Sequence, residues 1–340
     1  MLSLKMISVI SLNFLRTDLS VRSYFQFTED ELNHIYKVLK ADEHLNGLLI
    51  LDTCNRTEIY IDHDSSFDIT ALLYDLQELK ETHILPEQFI IIRNTEQAVK
   101  YMAEVANGLH SMVIGDKQIL NQFKKAFRIS QQNHFISGNI ERIFQAIFRS
   151  HKRIANETGY HKGSRSVSHL AVTEVKQRFR DKSTHVLVIG AGEIAADLLK
   201  YLAAQSYTNV TVVNRTAIKA MLITKVYKYA VADYNLNSEF LNEFQVIISC
   251  AAAENVLSPK ILRGVHEKLL IDLTTFRSIQ DYPGNSNRLV TLDDFANLRE
   301  TASNEQLTAI ETINQIITEE LKTFFAWMTR RAELPKYILQ

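Results

Sequence analysis

The chain has 340 residues, 46% hydrophobic and 23% charged, which fits two or three domains and excludes both a mini-protein and a disordered chain. Its net charge is −1, from 38 Lys and Arg against 39 Asp and Glu, so a nucleic-acid partner would need a local basic face. No run approaches the roughly 18 apolar residues of a membrane helix, and the first residues lack a signal-peptide pattern. We therefore expect a cytoplasmic protein.

The first part of the chain alternates apolar runs with amphipathic segments. MISVISLNF predicts a buried strand, and FTEDELNHIYKVLK predicts a helix with Thr28 as N-cap and Glu31 completing a capping box. Two β-prone runs, 48–51 and 59–61, flank the polar segment DTCNRTE, which therefore lies at a strand end or on a short connection. This pattern predicts an α+β domain over residues 1–155.

The second half of that domain is mostly helical. After a strand in ILPEQFIIIRNT, the segment TEQAVKYMAEVANGL predicts a helix that Thr95 could cap. Two further helices are predicted in GDKQILNQFKKAFRISQQN and NIERIFQAIFRSHKRIANET. The second of these places apolar residues on one face, namely Ile140, Ile143, Phe144, Ile147 and Phe148.

Residues 156–292 contain a complete β-loop-α-β unit. The strand HVLVIG runs into the loop GAGEIA (190–195), a helix and a second strand, NVTVVNRT. The two glycines permit a tight turn and close approach of a pyrophosphate, and Ala195 keeps the third position small for helix packing. Later apolar runs are typical of a parallel doubly wound sheet. The unit predicts a Rossmann-type dinucleotide-binding domain, with a nucleotide-free doubly wound domain as the alternative.

The residues after the second strand bear on the choice of cofactor. Where an NAD enzyme usually carries a carboxylate, this chain has Asn214, Arg215 and Thr216. A guanidinium there suits a 2′-phosphate, which favours NADPH over NADH. The alternative is that Arg215 is a solvated surface charge.

From about Asp293 the chain predicts one long helix within a C-terminal region, 293–340. Apolar residues recur there at steps of three and four, namely Leu298, Ala302, Ala309, Ile313, Ile317, Leu321, Phe324 and Met328.

The two cysteines have different surroundings. Cys250 ends the apolar run QVIISC, as a buried structural cysteine would, whereas Cys54 is flanked by polar residues. They are too few and too far apart for a disulfide framework or a metal cluster, so we expect reduced thiols and no metal. Cys54 is either a half-buried thiol or a nucleophile. Arg56 could lower its pKa and hold a substrate carboxylate, or could form a surface salt bridge with Asp52 or Glu58.

Four segments carry a resemblance to one family. TCNRTE, GLHSMVIGDKQILNQFKKAF, SVSHLAV and GAGEIA followed by VVNRT are similar to glutamyl-tRNA reductases, in that family's order and approximate spacing. The resemblance extends over residues 1 to about 330. It implies a multi-domain α/β protein with a catalytic domain, an NADPH domain and a long spinal helix. The implied reaction is the reduction of glutamyl-tRNA to glutamate-1-semialdehyde, in tetrapyrrole biosynthesis.

The resemblance also implies roles for individual residues. Cys54 matches the nucleophile, which would form a thioester with the glutamyl group before hydride transfer from NADPH. The positions that match substrate contacts are Thr53, Asn55, Arg56, Ser111, Asp116, Lys117, Gln118 and Gln122. The cofactor positions are Gly190, Ala191, Gly192, Glu193, Ile194 and Ala195, to which Asn214, Arg215 and Thr216 are added from the next strand.

The expected partners follow from the same resemblance. Glutamyl-tRNA would meet a run of cations, Lys124, Lys125, Arg128, Arg142, Arg149, Lys152, Arg153, Lys162 and Arg165, each of which could instead belong to a solvated helix face. Glutamate-1-semialdehyde aminotransferase is a candidate recipient of the product. The apolar stripe of the last helix could pair two chains into a homodimer.

Several positions depart from the family pattern. Phe14 and Tyr101 stand where histidines are expected, Asp116 replaces a glutamate, and DLTTFRSI (272–279) replaces a segment with Val-Pro-Arg-Asp. The family's C-terminal dimerisation bundle is largely missing after Trp327. Without a histidine at position 101, acid/base work would fall to another group such as the nearby histidine of GLHS, or to water. The alternatives are an inactive relative that binds tRNA or cofactor, and a reductase of another thioester or acyl carrier.

Overall fold

The computed structural model describes residues 5–53, 55–111, 115, 118–158, 160, 166–274, 277–280, 286–296 and 304–333. The chain divides into two compact units. One comprises Met1–Ser164 and Arg299–Gln340, and the other comprises Arg165–Leu298.

The first unit is built on a four-stranded antiparallel sheet. Its strands are β1 (Met6–Asn13), β2 (Leu45–Thr53), β3 (Arg56–His63) and β4 (Ile90–Ile92), in the spatial order β2-β3-β1-β4. Every residue of β3 is buried, because the side chains that alternate along the strands enter separate cores on the two faces of the sheet. The predicted strands are confirmed, and DTCNRTE lies where β2 turns into β3.

Helices cover both faces of this sheet. They are α1 (Leu19–Tyr24), α2 (Glu29–Leu39), α3 (Ile69–Leu79), α4 (Thr95–Ala106), α5 (Gln118–Gln132) and α6 (Gly138–Glu157), with a 3₁₀ turn at Pro86–Gln88. On α6 the predicted apolar face is buried except at Phe148, whose ring is 38% exposed and lies 5.6 Å below the Nζ atom of Lys124. Phe148 is therefore the one exposed residue of the predicted apolar face, and the Lys124 ammonium group lies over its ring.

The helix caps test two of the local predictions. Thr28 caps α2 as predicted, since its Oγ1 accepts from the Glu31 amide at 3.2 Å and the Glu31 carboxylate accepts from the Thr28 amide at 2.6 Å. The prediction for α4 was one residue out. Asn94 is the N-cap and accepts from the Gln97 amide at 3.0 Å, while the Thr95 hydroxyl accepts from the Ile7 amide of β1 at 3.1 Å.

The second unit is a doubly wound domain. Its six strands are all parallel, in the order β10-β9-β8-β5-β6-β7, and are β5 (Val186–Ile189), β6 (Val210–Val213), β7 (Ala230–Val231), β8 (Val246–Ser249), β9 (Leu269–Asp272) and β10 (Arg288–Thr291). The order reverses between β5 and β8, which is where such sheets bind dinucleotides. The predicted Rossmann-type fold is confirmed.

The helices of the second unit are α7 (Val167–Arg178), α8 (Glu193–Ala204), α9 (Ala217–Thr224), α10 (Ser238–Asn242), α11 (Pro259–Leu262) and α12 (Leu292–Ala296). The helix α8 starts directly from the glycine loop after β5. Its buried residues include Ala195, Leu198 and Leu202. The sequence predicted one continuous helix from about Asp293, but that residue belongs to the short α12. Residues 297–303 of the predicted helix lie outside the described residues.

A long helix, α13 (Asn304–Glu333), completes the first unit. Its apolar stripe joins the core formed with α4 and α6, and the buried members are Ile313, Ile316, Ile317, Leu321 and Phe324. The long helix is thus confirmed, but the stripe packs within its own chain. This removes the reason to expect a homodimer through that stripe.

None of the helices in the described part of the chain combines the length and the apolar character needed to cross a membrane.

Candidate active site

A tight hairpin presents the segment around Cys54. β2 ends at Thr53 and β3 begins at Arg56, and these two residues are paired in the antiparallel sheet. The Thr53 hydroxyl accepts from the amides of Asn55 at 3.3 Å and Arg56 at 3.2 Å, and it lies 3.2 Å from the Arg56 carbonyl. Thr53 therefore closes the turn with its own side chain. Cys54 itself lies outside the described residues.

Arg56 forms an ion pair inside the first unit. Its Nη1 atom donates to Oε1 of Glu58 at 2.7 Å, and the exposed fractions of the two side chains are 2% and 0%. Its Nη2 atom donates to the backbone carbonyl of His110. Of the two salt-bridge partners considered from the sequence, Glu58 is the one found, but in the interior and not on the surface. Asp52 instead accepts from the Phe27 amide at 2.7 Å, and burial raises its pKa to about 6.

The Glu58 carboxylate is the centre of a buried polar network. Besides Arg56, it accepts from the hydroxyls of Tyr60, of Tyr101 at 2.9 Å and of Ser11 at 3.1 Å. Burial, and next the Glu58 charge, raise the pKa values of both tyrosines above their ordinary value. Burial alone would lower the pKa of Arg56, but the adjacent Glu58 charge outweighs it and the net direction is upward. Arg56 therefore stays charged and both tyrosines stay neutral.

The network reaches the Cys54 turn through Asn13. Asn13 is opposite Arg56 in the β1–β3 register, and its Nδ2 donates to Ser11 Oγ at 2.9 Å and to the Tyr101 hydroxyl at 3.3 Å. The next residue, Phe14, donates its amide to the Asn55 carbonyl at 3.1 Å. Phe14 and Tyr101, the two departures from the family pattern, thus lie on contacts that support the turn.

The loop between α4 and α5 carries the other predicted substrate contacts. The amide of Gly115 donates to the carbonyl of Gly108 at 3.3 Å, and both glycines have positive φ, 82° and 80°, which other residues rarely adopt. Ser111 is buried on this loop. Gln118 and Gln122 lie one turn apart on α5 and are half-buried. Asp116 and Lys117 lie outside the described residues.

A cleft of the second unit lies at the carboxyl ends of β5, β6 and β8. It has a volume of about 280 Å³ and is lined by the predicted residues Gly190, Ala191, Gly192, Asn214, Arg215 and Thr216. Glu193, Ile194 and Ala195 do not line it. Ala195 instead lies in the first turn of α8 and is fully buried, a position where a small side chain suits helix packing.

The sequence missed part of this lining. Lys219 and Tyr234 line the cleft, as do Cys250 and the three alanines that follow it. Lys219 lies in the first turn of α9, which begins two residues after Arg215, and its closeness to Arg215 in the sequence was the available signal. Cys250 is a free thiol whose pKa burial raises, with a smaller contribution from Asp272.

The two glycines of the loop face different surroundings. Gly190 has φ +109°, and a Cβ built there would lie 2.9 Å from the carbonyl carbon of Cys250. A Cβ at Gly192 would meet no atom within 4 Å. Gly190 is therefore required by the fold, whereas the open space beside Gly192 is where a pyrophosphate would approach the α8 N-terminus. The residues present fit a dinucleotide.

This difference predicts opposite outcomes for two matched substitutions. Gly190→Ala is expected to lower the free energy of unfolding by about 2 to 4 kcal/mol, from the strained φ and the overlap with Cys250. Gly192→Ala is expected to leave stability unchanged but to weaken NADPH binding by at least about tenfold. Thermal unfolding and a fluorescence titration with NADPH measure both. A Gly190→Ala protein as stable as the parent would contradict this account.

The segment DLTTFRSI begins with a buried carboxylate. Asp272, at the end of β9, accepts from the hydroxyls of Thr274 at 2.8 Å and Ser278 at 2.9 Å and from the Ile279 amide at 2.9 Å. Burial raises its pKa. The described residues of this segment are thus held by Asp272.

Several cations of the predicted basic run already contact other residues of this chain. Arg149 pairs with Glu320 at 2.8 Å, and Arg153 pairs with Glu157, Glu319 and Glu320 at 2.8 to 3.2 Å. The Arg142 guanidinium lies 4.2 Å from the Trp327 ring centre. These three arginines of α6 therefore all contact α13. Lys125, Arg128 and Lys152 are exposed, whereas Lys162 and Arg165 lie outside the described residues.

Comparison with known proteins identifies both units. Residues 10–158 match the family model described as glutamyl-tRNAGlu reductase, N-terminal domain, and residues 173–298 match that of shikimate / quinate 5-dehydrogenase. Glutamyl-tRNA reductases of Christiangramia forsetii and Aquifex aeolicus are each 28% identical to this chain. The alignments cover 96% and 98% of this chain, and 78% and 84% of those proteins.

A solved structure gives the same result for the fold. Glutamyl-tRNA reductase from Methanopyrus kandleri matches 97% of this chain and 82% of its own chain, with a TM-score of 0.54 and 22% sequence identity. The match spans both units and agrees with the predicted fold class. The relatives and the two family models lead to one conclusion: the chain is similar to glutamyl-tRNA reductases over nearly its whole length, and its first unit matches the N-terminal domain of that family.

Proposed function

We propose that this protein reduces glutamyl-tRNA to glutamate-1-semialdehyde with NADPH, through a thioester on Cys54. The observation that carries this proposal is the hairpin turn of TCNRTE, closed by Thr53 and supported by the buried Arg56–Glu58 pair. The 28% identity to named glutamyl-tRNA reductases over nearly the whole chain supports the same activity.

The chemistry suits a thiol at this turn. An aminoacyl ester is already activated, so the Cys54 sulfur can attack its carbonyl carbon and displace the ribose oxygen of the tRNA. The resulting thioester accepts hydride more readily than a carboxylate would. We propose that Thr53, Asn55, Ser111, Asp116, Lys117, Gln118 and Gln122 bind the glutamyl end of the substrate.

The buried ion pair changes how Arg56 would act. Glu58 neutralises its charge, and two of its donors are engaged. An arginine presents five N–H donors in a rigid fork, so Arg56 can still orient a substrate oxygen while Glu58 holds the guanidinium in place. We propose this orienting role for Arg56 in the binding of the glutamyl group.

NADPH, when bound in the cleft of the second unit, would supply the hydride. Gly190, Ala191 and Gly192 would hold its pyrophosphate, with Glu193, Ile194 and Ala195 starting the helix behind it. Asn214, Arg215 and Thr216 would hold the adenosine ribose. Arg215 and Lys219 are both exposed on the cleft, and two cations there favour a 2′-phosphate.

Cofactor preference gives a direct prediction. Arg215→Ala is expected to weaken NADPH binding by about 10- to 100-fold, since one charged hydrogen bond of roughly 1.5 to 3 kcal/mol is lost. NADH has no 2′-phosphate, so its affinity should change less than about threefold. Fluorescence titrations with each nucleotide measure the two affinities. Equal losses would show that Arg215 does not contact the phosphate.

For the nucleic acid, we propose a face that includes Lys125, Arg128 and Lys152, which are exposed cations of α5 and α6 outside the arginine contacts with α13. The aldehyde product is reactive, which suits direct transfer to a following enzyme, and glutamate-1-semialdehyde aminotransferase is the partner we propose. We also propose a cytoplasmic location for the protein.

The test of the function is a reconstituted assay. Purified protein is incubated with glutamyl-tRNA and NADPH, and NADPH oxidation and aldehyde formation are both measured. Aldehyde formed in proportion to NADPH consumed supports the proposal. If glutamyl-tRNA binds but yields no aldehyde, the protein is not a reductase of this substrate.

A further inference from the structure

One wall of the cleft in the second unit is the segment that follows β8. Residues 250–257, all within the described part of the chain, belong to no helix or strand, and we refer to them as the β8 wall. Those that line the cleft are Cys250, Ala251, Ala252, Ala253 and Val256. Alanine and valine side chains neither donate nor accept hydrogen bonds, so the shape of this wall depends on contacts from elsewhere.

The β8 wall packs closely against the glycine loop. A Cβ built at Gly190 would lie 2.9 Å from both the carbonyl carbon and the carbonyl oxygen of Cys250. The Cys250 amide donates to the Ile189 carbonyl at 2.7 Å. A displacement of the wall would therefore also disturb the turn where a pyrophosphate would approach.

Asp272, at the end of β9, is connected to the start of this wall through side chains. The Ser278 hydroxyl lies 2.9 Å from Oδ1 of Asp272 and 2.7 Å from the hydroxyl of Ser249. Ser249 is the last residue of β8 and directly precedes Cys250. A chain of two hydroxyls thus joins the carboxylate to the point where the wall begins.

The same carboxylate is connected to the end of the wall through the backbone. Oδ2 of Asp272 accepts from the Ile279 amide at 2.9 Å. On either side of Ile279 the chain pairs with Leu257, because the Leu257 amide donates to the Ser278 carbonyl at 2.8 Å and the Gln280 amide donates to the Leu257 carbonyl at 3.0 Å. Asp272 therefore holds both ends of the β8 wall.

Asp272 does not itself line the cleft. Its side chain is 2% exposed, and it also accepts from the amide and the hydroxyl of Thr274, at 3.0 and 2.8 Å. Burying a carboxylate is costly unless its oxygens accept hydrogen bonds, and here both of them do. A carboxylate in this position can affect a bound cofactor only through the segments that it holds.

We propose that Asp272 is a positioning residue for the pyrophosphate and nicotinamide side of the cofactor, because it holds the β8 wall against the glycine loop. A dinucleotide lies across the point where the strand order reverses. β6 and β8 flank β5 on opposite sides, so residues 214–216 after β6 serve the adenosine side and the β8 wall serves the other. The inference rests on the proposed function through the binding of a nicotinamide dinucleotide.

The first measurement compares two ligands. Asp272→Asn keeps the shape of the side chain but replaces one acceptor oxygen by an amide group. We expect it to raise the Kd of NADPH by about tenfold or more. Adenosine 2′-monophosphate lacks the pyrophosphate and the nicotinamide, so its Kd should change by less than about threefold. Titration calorimetry measures both, and Arg215→Ala should instead weaken both ligands.

Asp294→Asn is the matched control. Asp294 follows β10 of the same sheet and accepts from the amide and the hydroxyl of Thr291, at 2.7 and 2.9 Å. These are the same two kinds of donor that Thr274 offers to Asp272, but neither Asp294 nor Thr291 lines the cleft. Asp294→Asn should keep both affinities within about twofold of the parent values.

The second measurement follows the wall without a ligand. Hydrogen exchange read by mass spectrometry should be about tenfold faster or more in peptides covering 250–257 of Asp272→Asn, and unchanged in peptides from α8. Ser278→Ala removes only the hydroxyl chain and leaves the Ile279 contact. It should raise exchange in the same peptides and the Kd of NADPH by about threefold, and it gives the test if Asp272→Asn does not fold.

The outcomes separate the two proposals. Unchanged exchange in the β8 wall, or an equal loss of affinity for both ligands, overturns the role of Asp272 and leaves the proposed function standing. A parent protein that binds NADPH but forms no aldehyde refutes the proposed function, and the comparison of the two ligands still decides the role of Asp272. A parent protein that binds no nicotinamide dinucleotide overturns both.

Discussion

Replacing Cys54 by serine is expected to lower the rate of aldehyde formation from glutamyl-tRNA by about 10⁴-fold or more, because the reaction then lacks its nucleophile. A serine hydroxyl is ionised far less than a thiol near neutral pH, and the acyl-enzyme it could form would be an ester. An ester accepts hydride less readily than a thioester does. Both half-reactions therefore fail in the same variant.

Binding should survive this substitution. Serine differs from cysteine by one atom, and the turn is closed by the Thr53 hydroxyl. We therefore expect Cys54→Ser to bind glutamyl-tRNA and NADPH within about threefold of the parent affinities. Single-turnover aldehyde formation and filter binding of tRNA measure the two properties on the same preparation. A Cys54→Ser protein that retains a tenth of the parent rate would exclude the thioester route.

Replacing Glu58 by glutamine is expected to destabilise the first unit by about 3 to 5 kcal/mol, the usual effect of leaving one member of a buried ion pair without its partner. Glutamine preserves the length and one acceptor oxygen, but the Arg56 guanidinium would stay charged at 2% exposure without a counter-charge. The hydroxyls of Tyr60 and Tyr101 would also lose an anionic acceptor. Urea unfolding followed by circular dichroism measures the change.

A surface ion pair provides the control for that measurement. Glu157 pairs with Arg153 at 2.8 Å on the outside of α6. Such exposed pairs contribute little because water screens them, so Glu157→Gln should leave the urea midpoint nearly unchanged. If Glu58→Gln unfolds at the same urea concentration as the parent, the buried pair does not stabilise this unit.

The predictions from sequence were correct where a feature depends on residues that are neighbours along the chain. The Thr28–Glu31 capping box and the glycine loop of residues 190–195 depend on hydrogen bonds and backbone angles within a few residues. The apolar run of β1 likewise reflects a sheet with a core on each face. The one-residue error at Thr95 arose because Asn94 and Thr95 are both good caps, and a contact with Ile7 of β1 decided between them.

Two expectations about surface groups changed for a different reason. Both the arginines expected to face a nucleic acid and the apolar stripe expected to face a second chain contact residues that are distant along the same chain. Arg149 and Arg153 had the appearance of a nucleic-acid surface, yet acidic residues of α13, more than 150 positions away, neutralise them. The apolar stripe of α13 was read as a contact for a second chain, yet it fills the core beside α6. Long-range pairing of this kind leaves no periodic signal in the chain.

By itself the amino-acid sequence determined most of the elements, the glycine loop after β5, the similarity to glutamyl-tRNA reductases and the segment that carries the proposed nucleophile, because each depends on neighbours close along the chain. Only the tertiary structure decided that Arg56 is neutralised by Glu58 and that Tyr101 joins that network. Those contacts join β1, β3 and α4. Their free energy depends on burial and on charges brought together by folding, and neither quantity is present in the order of residues.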